Sequence, residues 1–234
     1  MSTIAYNLQA VDASILAAVT AAGRLRDQVM LLAVSKTFPA EAVLEAIAAG
    51  QLAFGENYLQ EALDKMAAVS TALPGRQIGW HFIGPIQSNK TRPIATSFDW
   101  VHTVERLKIA QRLSEQRPVD SAPLNICLQV NISGEASKSG VTPDALPELA
   151  SLVAQLPRLR LRGLMAIPEP ESDVMRQRAA FARLRVLAEE LRAQGIALDT
   201  LSMGMSADMG AAIAEGATIV RVGSAIFGKR SYPA

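Results

Sequence analysis

"VMLLAVSKTFPAEAVLEAIAAG", residues 29–50, decides the architecture of this chain. Val29 to Val34 form an unbroken apolar run, the pattern of a strand buried on both faces in a parallel sheet. Pro39 then announces a helical run in which Leu44, Ile47 and Ala48 share one face and Gly50 supplies the stop. A buried strand followed by an amphipathic helix is one βα unit, and the alternation recurs along the chain. Further strands are expected at 52–55, 79–84, 99–104, 124–131, 160–167, 198–204 and 218–223, with helical stretches such as "VERLKIAQRLSEQ" and "FARLRVLAEELRAQG" between them. Strands separated by helices pair in parallel through crossovers. About eight βα units in one chain predict an α/β fold of the closed (β/α)8 TIM-barrel type. An extra, alanine-rich N-terminal helix over 3–22 is expected to cap the bottom of the barrel. A doubly wound open sheet is the competing arrangement, but no GxGxxG follows the first strand. With no repeat, low-complexity tract or linker in view, residues 1–234 are expected to form a single domain.

Composition narrows the functional classes. The 234 residues carry 23 basic and 22 acidic side chains and are 50% hydrophobic. Balanced charge without a basic stripe gives no electrostatic case for nucleic acid or a membrane surface. No apolar run is expected to span a bilayer, and the N-terminus lacks the basic and hydrophobic regions of a signal peptide. The one cysteine, Cys127, excludes an intrachain disulfide and reads as a small buried hydrophobe in a strand. A soluble, cytoplasmic protein is the expectation.

In an α/β barrel the chemistry gathers at the C-terminal ends of the strands. Those ends here are polar and glycine-rich: Ser35-Lys36, Glu56-Asn57-Tyr58, His81 with Gln87 and Asn89, Asn131 with Lys138, then "SMGMSAD" and "RVGSAIFG". The loops after strands 7 and 8 often bind phosphate. Ser206 stands where an N-cap would precede a helix, and Gly223-Ser224 offers backbone N–H groups at a second helix start. Simple capping and a tight turn are the ordinary alternatives. Lys36 would face the same mouth, because the eighth strand neighbours the first. A partly desolvated lysine is a good Schiff-base nucleophile. A lysine beside a phosphate site leaves two readings, an aldolase-like sugar-phosphate enzyme or a pyridoxal-phosphate protein. Arg221, on the same strand face as Gly223, would suit a pyridine nitrogen, or else a structural ion pair.

Six segments, "AVSKTFP", "FGENYLQE", "WHFIGPIQSNK", "VNISGEASKSG", "GLMAI" and "LSMGMSADMGAAIAEGATIVRVGSAIFG", resemble in order the pyridoxal 5'-phosphate (PLP) homeostasis protein family, over almost the whole chain. The resemblance implies a barrel like the N-terminal domain of alanine racemases, without their C-terminal β-domain, and PLP held as an internal aldimine on Lys36. It implies that Ser206, Gly223 and Ser224 hold the phosphate and that Arg221 faces the ring nitrogen, with Asn57, His81 and Met203 lining the ring pocket. No metal is expected. Lys138 resembles a lysine implicated in cofactor traffic. Two departures stand out: Phe38 occupies a position where members commonly have a second lysine, and Ser224 one where many have threonine. An arginine, unlike a carboxylate, disfavours a protonated ring, and racemisation needs a base on each face of the substrate. The reading is therefore a PLP carrier acting in PLP homeostasis and in amino- and keto-acid balance, without efficient turnover. A slow amino-acid racemase is the alternative and a class I aldolase the third. Apo PLP-dependent enzymes are the expected partners, and a monomer the expected state.

Overall fold

The computed structural model describes residues 2–134 and 139–228. Lys138 lies outside them. Among the described residues eight parallel strands close into a barrel in sequence order. They are β1 (Met30–Val34), β2 (Ala53–Glu56), β3 (Gly79–Phe82), β4 (Trp100–Val104), β5 (Leu124–Gln129), β6 (Leu159–Met165), β7 (Thr200–Ser202) and β8 (Ile219–Val222). Closure is made where β1 pairs with β8, from Met30 opposite Ile219 to Ala33 opposite Val222. The helices are α1 (Thr3–Ala21), α2 (Ala40–Ala48), α3 (Leu59–Ala72), α4 (Thr91–Ser97), α5 (Leu107–Gln116), α6 (Leu146–Ala154), α7 (Val174–Ala193), α8 (Met209–Ala214) and α9 (Ser224–Phe227).

The first helix does not cap the bottom. It packs against α2, α8 and α9 on the outside of the barrel. Near its start the Asn7 side-chain amide donates to Ile226 O at 2.9 Å, and just past its end Arg24 Nη1 donates to Ile213 O at 2.8 Å. It thus runs from the mouth toward the bottom and fills the place that α9, with four residues, is too short to cover. Leu8, Val11, Ile15 and Val19, spaced by three and four, form its buried stripe. By length and composition alone, at 19 residues and a mean hydropathy of 1.2, α1 is apolar enough to cross a membrane. In α2 the buried face is Val43, Ala46 and Ile47, with Leu44 at its margin and Ala48 exposed. The expected face was one residue late.

The backbones of β6 and β7 leave no room for a side chain at Gly163. A Cβ on Gly163 would lie 1.7 Å from Thr200 O. No side-chain rearrangement relieves a clash with backbone, so Gly163→Ala should force the two strands apart and cost about 2–3 kcal/mol. The urea midpoint checks this, and an unchanged midpoint would contradict the register of β6 on β7.

Candidate functional site

Lys36 sits, half-buried, two residues beyond the end of β1. It occupies a turn closed by the Phe38 N–H donating to Ser35 O at 3.1 Å. Thr37, next in the turn, has φ +67°, a left-handed conformation that a β-branched residue rarely adopts. The turn leans on α9: the Phe38 and Phe227 rings lie 5.2 Å apart at 31°. Phe38, the departure noted in the sequence, is therefore the apolar clasp between the Lys36 loop and α9.

Gly223 is the N-cap of α9, and the first helical bond runs from the Ile226 N–H to Gly223 O at 2.9 Å. The amides of Gly223, Ser224 and Ala225 precede that bond and are not used by the helix itself. Ser206 is exposed in the turn between β7 and α8. It is not the cap of α8. Asp208 holds that position, with its carboxylate turned back to accept from the Met205 N–H at 2.6 Å. The three-residue turn Ser206–Asp208 delays the helix and leaves the Ser206 hydroxyl to the loop. Met203 is fully buried and belongs to the apolar core.

Arg221 points into the barrel and is 4% exposed. Its Nη1 donates to Ser202 O at 2.6 Å and to Ser202 Oγ at 2.9 Å, and its Nη2 to Ala166 O at 2.9 Å. Ser202 Oγ lies 2.7 Å from His102 Nδ1, and His102 Nε2 lies 2.9 Å from His81 Nδ1. Guanidinium cannot accept, so Ser202 Oγ accepts from Arg221. Each of the two further contacts carries one proton, and both directions of the His81–His102–Ser202 chain satisfy it, because the hydroxyl oxygen accepts twice and donates once. His81 stacks flat on Trp100 (5.3 Å, 4°). It reaches Arg221 only through His102 and Ser202. Of the five N–H groups of a guanidinium, three are committed to these acceptors. Burial lowers the Arg221 pKa to about 10, which keeps it cationic at neutral pH.

Burial also holds His81 down to about 3, and His102 well below its usual range, with repulsion from His81 and Arg221 adding to the effect. Both imidazoles are neutral in the folded state but take up a proton on unfolding below about pH 6.5. Stability contributed by these groups is therefore full above that pH and is lost as pH falls toward 3. Glu56, whose carboxyl is pushed up by burial, acts oppositely. Between pH 4.5 and 6 unfolding should take up a net one to two protons, read as the slope of urea-derived stability against pH. A flat slope would mean that a histidine is charged inside the barrel.

A cavity of about 630 Å³ opens over the ends of β2 to β5, with Asn57, Tyr58, Gln87, Thr103, Arg106 and Gln129 on its wall. Asn57 is the candidate residue found there, and its Oδ1 is buried without a partner. Lys36, Arg221 and Gly223 belong to the adjoining β8–β1 side. Glu56, read in the sequence as part of the mouth, turns away: it is buried and bonded to Ser35 and to Lys65 of α3. Lys65, His102 and Ser202 carried no distinguishing signal in sequence. Cys127 is buried, and burial raises its thiol to about 12, which leaves it protonated.

Residues 6–231 match the family model for the alanine racemase N-terminal domain. A pyridoxal phosphate homeostasis protein of Pseudomonas aeruginosa is 65% identical over 234 residues, covering 100% of this chain and 99% of that protein. The pyridoxal phosphate homeostasis protein of Escherichia coli is 54% identical over 99% of this chain and 99% of its own. Among solved structures, PipY of Synechococcus elongatus with PLP bound superposes with a TM-score of 0.83 at 38% identity, covering 96% of this chain and 100% of PipY. An alanine racemase of Corynebacterium glutamicum shares the fold, with a TM-score of 0.68 at 18% identity, over 96% of this chain and 59% of that one.

Proposed function

The chain belongs to the family of the alanine racemase N-terminal domain and, within it, to the pyridoxal phosphate homeostasis proteins, and from that premise we propose that it binds PLP at the junction of β1 and β8 and acts as a PLP carrier. The observation that carries this reading is that junction. It gathers a lysine on a strained turn, a buried arginine with two uncommitted N–H groups, and the unused first amides of α9. Their chemistry fits an aldehyde, a pyridine nitrogen and a phosphate, and buried Thr37 Oγ1 and Asn57 Oδ1, both unpartnered, await a polar group nearby.

When bound, PLP supplies an electrophilic aldehyde and an electron-withdrawing ring. Lys36 would hold the aldehyde carbon through its ε-nitrogen, one water leaving. Ser206 and the N–H groups of Gly223 and Ser224 would hold the phosphate. Arg221 would give the ring nitrogen a hydrogen bond and no proton, since a guanidinium only donates and keeps its charge at neutral pH. Asn57 would close the side toward the cavity, Met203 would pack beneath the ring, and His81 would act through the buried chain. A single domain, a monomeric state, action on amino- and keto-acid balance and delivery to apo PLP-dependent enzymes are parts of the same proposal.

Titration with PLP followed by borohydride and peptide mapping tests it. The label should fall on Lys36, and a label elsewhere would sink the site. A hydrogen bond to a charged group contributes roughly 1.5–3 kcal/mol, so Ser206→Ala should weaken PLP binding about tenfold to a hundredfold. Pyridoxal, lacking the phosphate, should bind poorly and not respond to Ser206→Ala. Equal weakening of both ligands would mean that the serine shapes the loop only.

Tyr58, 50% exposed on the cavity wall, favours a second reading as a slow racemase with a phenol at the mouth. D-alanine formation from L-alanine decides between them. The carrier reading expects no D-alanine formation that depends on Tyr58, and a slow formation, well below the enzymatic median of about 10 s⁻¹, that Tyr58→Phe abolishes would establish the racemase.

A further inference from the structure

The two peptide units that flank Lys36 are both gripped by one buried ion cluster on α3. Lys65 is 4% exposed. Its Nζ donates to Glu56 Oε1 at 2.6 Å, to Ser35 O at 2.8 Å and to Glu61 Oε1 at 3.0 Å, using all the donors of an ammonium. The same Glu61 Oε1 accepts from the Thr37 N–H at 2.7 Å, and the same Glu56 Oε1 accepts from Ser35 Oγ at 2.6 Å. The carbonyl just before Lys36 and the N–H just after it therefore end on the same ammonium–carboxylate pair. Between them Thr37 is held at φ +67°, a strain of about 1–3 kcal/mol that persists only where the surroundings enforce it. Burying Glu56 and Lys65 and half-burying Glu61 is costly for stability alone, and an apolar replacement often packs as well.

We propose that Glu61 and Lys65, braced by Glu56, are positioning residues that lock the Ser35–Phe38 turn so that the Lys36 amine is aimed into the mouth. The inference rests on Lys36 being the residue that captures PLP. The cluster lies behind the turn and is not placed against the ligand, so it should act on the covalent step and spare reversible binding. Glu61, with a side chain 33% exposed, is the safer position to change. Glu61→Gln keeps an oxygen for the Thr37 N–H, whereas Glu61→Ala removes it.

The full-length variants would be mixed with saturating PLP, and the borohydride-trapped label on Lys36 followed in time. Glu61→Ala should lower the limiting rate about tenfold to a hundredfold, the size expected for a misaimed group. Glu61→Gln should stay within about threefold of wild type. In a Lys36→Ala background, adding Glu61→Ala should leave reversible PLP affinity unchanged. Lys65→Met should slow labelling at least as much as Glu61→Ala. If it does not fold, the Glu61 pair still decides. Equal rates for Glu61→Ala and wild type, equal losses in Glu61→Ala and Glu61→Gln, or a matching loss of reversible affinity would each overturn the positioning role. Absence of any Lys36 label in wild type would instead overturn the proposed function.

Discussion

Arg221→Glu should destabilise the protein by roughly 3–5 kcal/mol at pH 8, a large part of the stability of an ordinary domain. The native guanidinium spans from Ser202 to Ala166 and satisfies oxygens inside the barrel. A carboxylate there would face the same oxygens as an anion without a donor. Arg221→Met separates charge from lost bonding. Ser202 O would keep the Ala166 N–H at 3.3 Å, so Ala166 O is the carbonyl left bare. One buried unsatisfied acceptor costs about 1–3 kcal/mol. The glutamate penalty should also shrink on acidification. Its folded-state pKa would be raised by burial, so the folded form binds the extra proton, and the part of the penalty due to charge disappears below the unfolded pKa of about 4.3, leaving that of the lost bonds. Urea midpoints of both variants at pH 8 and pH 5 check this. Equal midpoints at pH 8, or a glutamate variant indifferent to pH, would mean that water reaches position 221.

What the sequence made legible follows from where its patterns come from. Strands buried on both faces write continuous apolar runs, so "VMLLAVS" and "LNICLQVN" announced parallel strands, and about eight of them alternating with helices announced the barrel. Strand ends announce themselves through glycine and polar residues, which is how Lys36, Asn57, Arg221 and Gly223 came into view. The position of α1 was not legible. Its apolar stripe reports burial but not against what, and the vacancy it fills exists because α9 stops after four residues. Ser206 looked like a cap because serine before a helical run usually is one. The turn that defers the cap to Asp208 is a tertiary matter. Lys65 was hidden most thoroughly. On α3 it reads as an exposed charge between Asp64 and Met66, and only the closed barrel brings Ser35, Glu56 and Glu61 onto its ammonium. His102 and Ser202 escaped for the same reason, since they are 100 residues apart and meet across the interior.

Lys36→Ala should abolish covalent capture of PLP altogether while leaving the barrel folded. The structure gives reasons why no other described lysine takes over. Lys65 is as close in fold to the turn, but its ammonium spends its protons on Ser35, Glu56 and Glu61, and a nucleophile must give one up. Lys108 is exposed on α5, outside the barrel. Lys90 lines the neighbouring cavity and is the one rival with access to the mouth. It lies after β3, across the cavity from the β8–β1 junction where the proposed phosphate amides stand. The stability change should stay within about 1 kcal/mol, since Lys36 is half-buried in a turn and contributes nothing to the apolar core. Reversible binding should persist, because Ser206, Gly223, Ser224 and Arg221 are untouched. Lys36→Arg should behave like the alanine variant toward capture, because a guanidinium keeps the charge but has no lone pair to offer at neutral pH. The measurement is the mass of borohydride-treated protein together with the thermal midpoint. An unlabelled, folded Lys36→Ala protein that still binds PLP reversibly is the expected result. A label that moves to Lys90 would place the aldehyde over the β2–β5 cavity instead, and would turn the β8–β1 junction from the cofactor site into part of the frame beside it.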